Sequence, residues 1–259
     1  MKKLVSLLAV ATLYAGTAYA GQPAATGITD SIHDMNIYVG ATPDEFGRSC
    51  VFCHTPHNAQ PIDPLNPVPL WNHQWTTADF SLGVYQWATP KNFPLTIDDP
   101  LIGPTRLCMS CHDGTVAIDQ HGPSRAFAGT MFLTGDAAVG RNADLTDDHP
   151  IGFSYGQALT ERNTAGLNWP ELVEKTEMFA SSVTASAVPG VYDTVVRAQG
   201  GRTIGEVLYQ GDIVTCATCH EVHNKENVVQ DVGTQGYTPN YLLYAKEKDS
   251  LICLSCHLK

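Results

Sequence analysis

The stretch CVFCHTPH, residues 50–57, carries two cysteines three positions apart, a histidine directly after the second, and another histidine three residues on. The C-x-x-C-H pattern occurs four times, as Cys50/Cys53/His54, Cys108/Cys111/His112, Cys216/Cys219/His220 and Cys253/Cys256/His257. These motifs use every cysteine in the chain. With ten histidines among 259 residues, chance would fill all four fifth positions in roughly one chain in a million, whereas haem attachment requires it. Two thiols at this spacing match the two vinyl groups of a porphyrin, and the adjacent histidine is delivered to the iron as its proximal ligand. Four covalently bound haem c groups are therefore expected. Zinc held by four thiolates has no need of a histidine after each pair, and thioredoxin-like pairs do not recur four times in one chain.

Four six-coordinate irons need four further ligands. The remaining histidines are His33, His57, His73, His121, His149 and His223, and Met35, Met109, Met131 and Met178 are also present. Methionine would raise the potential. With histidine in surplus, ligation by histidine alone and low potentials are expected, the methionines serving as packing. His57 in CHTPH and His223 in CHEVH each lie three residues past a proximal ligand. Three residues span at most about 10 Å, roughly the width of the macrocycle. Neither should reach the far face of its own haem, and Pro56 stiffens the first loop further. Each is expected to serve a neighbouring haem, the plain alternative being a solvent-facing ring. His149 in DDHPI is projected by Pro150, with Asp147 or Asp148 available to orient it, and His33 in SIHDM has Asp34 beside it. His73 in WNHQW reads as stacking or packing, and His121 in DQHGP as a turn residue.

Residues 1–20 read as an export leader: Lys2 and Lys3, an apolar run from Leu4 to Leu13, then Ala18-Tyr19-Ala20 before Gly21. No later run is long enough to span a bilayer, so no membrane span is expected. The formal charge of −11 becomes −13 once Lys2 and Lys3 leave. That acidity argues against nucleic acid and anionic lipid as partners.

The motifs alternate in style. The first and third continue to a trailing histidine, whereas the second and fourth read C-x-S-C-H without one. Two dihaem units in series follow, at about residues 30–150 and 212–259, with a haem-free insertion at about 151–211. Within the insertion a helix is expected over 168–179, capped by Asn168, with Pro170 in its first turn and a Glu171–Lys175 pair. VYDTVV reads as a strand, and EVLYQGDIVTC as a hairpin turning near Gly211. GRNADLTDD lacks EF-hand spacing and reads as a solvated loop rather than a calcium site. Periodicity is scarce elsewhere. The expected class is thus a mostly irregular, haem-centred multihaem cytochrome c fold over residues 21–259. Short α-helices should sit at the C-x-x-C-H motifs beside a few short strands or hairpins, and porphyrins should stand in for a side-chain core.

GITDSIHDM, CVFCHTPHNA, PLWNH, CMSCHDGTVA, DDHPIGFSY and CLSCHLK, as an ordered set, resemble the tetrahaem outer-surface c-type cytochromes of metal-reducing bacteria, closest to the outer-membrane cytochrome E type. The likeness is weakest over about 161–211. It implies extracellular filaments of stacked haems, two histidines on every iron, and one distal ligand donated across the subunit boundary. Carried over, the proximal ligands are His54, His112, His220 and His257. The distal ligands are His33, His57, His149 and His223, with His57 crossing to the next subunit. The expected partners are copies of the chain itself, other multihaem cytochromes or extracellular electron acceptors.

An electron carrier at the cell surface, with no substrate of its own, is the leading expectation. A monomeric periplasmic tetrahaem shuttle is the alternative. A multihaem reductase would need an iron with an open position, and here there are enough histidines to close all four.

Overall fold

A computed structural model describes residues 26–60, 70–80, 97, 99–121, 129–164, 171–185, 192–230 and 241–258. The leader expected over 1–20 lies outside them. The described residues form helices α1 (Pro104–His112), α2 (Tyr155–Thr164), α3 (Ile204–Val207), α4 (Cys216–Cys219) and α5 (Leu251–Cys256), and strands β1 (Ala180–Ala185) and β2 (Tyr192–Arg197). A 3-10 turn at Ser49–Phe52 carries the first motif, while α1, α4 and α5 carry the other three. The rest of the described chain is mostly turns and irregular backbone. No helix among these residues is long and apolar enough to cross a membrane.

Local chemistry starts each motif helix. Pro104 opens α1, where its missing N–H costs nothing. Gly103 before it has φ +60°, and a Cβ there would stand 2.8 Å from the Tyr209 ring. Glycine therefore lets α1 sit against Tyr209. Thr105, Met109 and Ser110 face inward, while Cys108, Cys111 and His112 share the i, i+3, i+4 face. α4 is a single turn, begun by Thr215 N–H donating to Thr218 Oγ1 at 2.9 Å. In α5, Ser255 Oγ donates to Leu251 O at 2.8 Å and accepts from Ala180 N–H at 2.9 Å. That hydroxyl ties β1 to the fourth motif.

The insertion is organised differently from its expected pattern. Residues 171–179 are not helical: Val173 N–H donates to Cys256 O at 3.0 Å and Leu258 N–H to Glu171 O at 2.8 Å, so this segment runs beside the end of α5. The expected Glu171–Lys175 pair is replaced by Arg162–Glu171 at 2.7 Å and Lys175–Asp212 at 3.0 Å. The helix lies earlier, at α2, where Asp212 Oδ1 accepts from Gly156 N–H at 3.0 Å. A cap delivered from so far along the chain has no local signature. The turn expected near Gly211 is present, with Tyr209 and Ile213 exchanging bonds of 2.9 Å in both directions. VYDTVV overlaps β2, which pairs antiparallel with β1.

The main apolar cluster joins the insertion to the motif helices. Phe153, Tyr155, Leu172, Phe179, Ile204 and Val214 pack with Met109 of α1 and Leu251 and Leu254 of α5. A smaller cluster of Ile118, Leu133 and Ala138 gathers Met35, Tyr38 and Met131. Side chains from the insertion thus supply a core of their own, beyond what porphyrins would contribute. The two proposed halves also meet directly. α1 packs on α4, and Cys216 N–H donates to Thr105 Oγ1 at 3.3 Å.

Candidate functional site

None of the eight cysteines is in a disulfide. Burial pushes the Cys53 thiol up to about 11, with Cys50 adding to the rise, and the Cys256 thiol likewise to about 11. It pushes Cys219 up to about 12 and Cys111 well above the ordinary range. The thiols also sense one another in sequence order. Cys111 is raised by nearby Cys53, Cys108 by nearby Cys216, and Cys219 by Cys256. The four motifs therefore follow one another through the structure, first to second to third to fourth.

The histidines stand in facing pairs. His33 faces His112 with ring centres 6.2 Å apart, His54 faces His223 at 6.5 Å, and His149 faces His257 at 6.3 Å. Two imidazoles sharing one metal, each with a nitrogen about 2.0–2.1 Å from it and a ring centre about 1.1 Å further on, put those centres about 6.3 Å apart. The three pairs thus have the separation that two axial ligands of a haem iron require, and each includes one motif histidine. Among the described residues no three His, Cys, Asp or Glu side chains converge on one point. The donor set is arranged two by two, which suits a macrocycle that supplies the other four nitrogens.

The tautomers suit the same role. Nδ1–H of His112 donates to Ala137 O at 2.8 Å, that of His149 to Pro150 O at 2.8 Å, and that of His220 to Tyr241 O at 2.6 Å. Each bond fixes the tautomer in which Nε2 keeps its lone pair. Burial, reinforced by His112, His220 and His223, pushes His33 down to about 4. His112 is lowered chiefly by burial as well. These rings are neutral near pH 7, as ligation demands.

His223 faces the first motif rather than His220, three residues before it. His57 and His220 remain. Both are exposed, and among the described residues neither has a histidine ring facing it at ligand separation. His73 is buried, with Nε2 3.3 Å from Cys111 Sγ and Trp71 6.4 Å away edge-on. His121 has both nitrogens engaged, Nδ1 with Asp119 O at 3.0 Å and Nε2 with Asp44 Oδ1 at 3.2 Å. His73 Nδ1 is buried without a hydrogen-bond partner, whereas His121 has neither ring nitrogen left over.

Asp34 does not orient His33. Its carboxylate accepts from the backbone N–H groups of Asp30 and Asn36, and His33 Nδ1 is buried without a hydrogen-bond partner. The Pro150 carbonyl fills the place expected of Asp147 or Asp148. In the Asp-rich loop, Asp144 Oδ1 accepts from Thr146 N–H at 3.0 Å and so closes its own turn. Sequence reasoning passed over Glu221, which lies between two histidines in CHEVH and bonds to one of them. The carboxylate between two candidate ligands was the available signal. No family model matches the chain, and no curated protein matches it.

Proposed function

We propose that the chain is a tetrahaem c-type cytochrome that carries electrons through closely spaced bis-histidine haems. We further propose that it polymerises into an extracellular conducting filament and turns over no substrate of its own. The observation that carries the reading is the set of three histidine pairs at 6.2–6.5 Å, one for each of three motifs, with a fourth motif histidine left over. Haem, when bound, supplies the one-electron ferric/ferrous couple. The chain's own residues do the rest. Cys50/Cys53, Cys108/Cys111, Cys216/Cys219 and Cys253/Cys256 would hold the four groups. His54, His112, His220 and His257 would ligate from one side, and His33, His149 and His223 from the other.

Supporting close spacing, His33 lies near enough to His112, His220 and His223 to have its basicity lowered by all three. Supporting polymerisation, exposed His57 and exposed His220 are the two candidate ligands left over. His57 of one subunit ligating the iron held by His220 of the next would satisfy both.

The unmatched His220 also favours a second reading, in which its iron keeps an open position as in a multihaem reductase. Electron microscopy and electron paramagnetic resonance of the haem-loaded protein, run beside His57→Ala, decide between them. Low-spin filaments from the parent, and single particles with one high-spin iron from the variant, are expected. Single particles from both, with one high-spin iron in each, would establish the open site. Four low-spin irons in single particles would make the protein a soluble shuttle.

A further inference from the structure

Glu221 places one carboxylate oxygen on two donors of the same residue. Its Oε1 accepts the backbone N–H of His223 at 2.8 Å and the ring Nδ1–H of His223 at 3.2 Å. The His112, His149 and His220 rings give their Nδ1–H to neutral backbone carbonyls, and buried His33 Nδ1 has no hydrogen-bond partner. His223 differs from these four in donating to a charged group. The Glu221 side chain is 13% exposed while the His223 side chain is 64% exposed, so the carboxylate is the sheltered member of the pair. Its charge is screened less than that of a surface carboxylate.

An imidazole that donates its outer N–H to a carboxylate is held in one tautomer and made a more basic ligand. A more basic ligand, with a negative charge behind it, favours the ferric over the ferrous state, because the ferric iron carries one more positive charge. The couple exchanges a single electron and leaves the protons and covalent bonds where they are. We propose that Glu221 is a positioning residue that fixes the His223 ring against His54 and holds down the reduction potential of the iron between them. This rests on the reading of facing histidines as haem ligands. It gives the first attachment site a donor character that the His33–His112 pair lacks.

The test is a spectroelectrochemical titration of the haem-loaded protein, parent against Glu221→Gln and Glu221→Asp. Gln keeps the size and an acceptor but loses the charge, whereas Asp keeps the charge but withdraws it from the ring. In Glu221→Gln one of the four transitions moves to a more positive potential and three stay. Glu221→Asp moves the same transition in the same direction by less. Unmoved transitions in both variants, with four haems and low-spin spectra retained, overturn the proposal. Loss of the fold in both assigns Glu221 to holding the CHEVH loop alone and overturns it equally. Failure of the underlying reading shows separately, as a parent protein with no covalent haem or without nitrogen-ligated low-spin irons.

Discussion

Replacing His73 by leucine removes a titratable ring from a place where only its neutral form fits. The residue is 1% exposed, between Trp71 and Cys111, and burial pushes its pKa from 6.5 down to about 4. The backbone at Gln120 and Ser110 and the Asp119 carboxylate pull the other way without prevailing. The folded value lies below the unfolded one, so the unfolded chain binds the extra proton as pH falls below 6.5. The stability is fully present above 6.5 and is lost progressively down to about 4. At about 1.36 kcal/mol per pKa unit, the drop corresponds to roughly 3 kcal/mol. Guanidinium unfolding of the haem-loaded parent and His73→Leu, followed across that window, measures it. The parent should lose about 3 kcal/mol relative to the variant between the two ends. A parent-to-variant difference that does not change with pH would refute the reasoning about burial. A high-spin iron appearing in His73→Leu would refute its other half, that this histidine packs and does not ligate.

Other replacements separate ligation from packing. On the proposed reading, His149→Ala removes the ring 6.3 Å from His257, and electron paramagnetic resonance should then show one high-spin iron in four, with all thioether bonds intact by mass spectrometry. Met109→Ala, in the core beneath the second motif and 1% exposed, should cost about 2–5 kcal/mol in denaturant unfolding while leaving the resting haem spectrum low-spin. Gly152→Ala forces a side chain onto φ +81° with its Cβ 2.6 Å from Asp99 O. It should cost at least about 1–3 kcal/mol and, on the proposed reading, broaden the spectrum of a haem held by His149, whereas Gly200→Ala, with φ +77° and open space around it, should change stability alone.

The four C-x-x-C-H motifs are legible as a repeated pattern, whose spacing covalent haem attachment would fix on the proposed reading. Nothing in the sequence specified which rings face one another. His33 precedes all four motifs yet faces the second, and His223 trails the third yet faces the first. Long-range bonds such as Asn224 Nδ2–H to Thr26 Oγ1 at 2.6 Å and Thr42 N–H to Asp119 Oδ2 at 2.9 Å join the N-terminal segment to the other segments concerned, and they have no local pattern. The misplaced helix in the insertion has a related cause. Capping and charge pairing for residues 168–179 were read within the segment, but Glu171 and Lys175 have partners elsewhere, and Asp212 caps α2 instead. Asp34 misled for the opposite reason: a carboxylate next to a histidine in sequence spends its acceptors on its own turn.

The motifs and the ring pairs are organised on different scales, and the difference bears on assembly. Thiol neighbours run in sequence order, so attachment alone would string four groups along the chain. The facing histidines instead join distant segments: 33 with 112, 54 with 223, 149 with 257. An iron bound at both faces would close each of these long loops, constraining the unfolded chain as a cross-link does. Three such closures would stabilise one subunit, and the apolar cluster built from the insertion would complete it. A fourth closure within the chain would need His57 and His220 to face each other, and they do not. On the proposed reading, the bond that would have been the last internal cross-link becomes the first external one. Subunit association and completion of the fourth iron's coordination would then be a single event, so a subunit kept from assembling by His57→Ala should be well folded yet carry one incomplete iron.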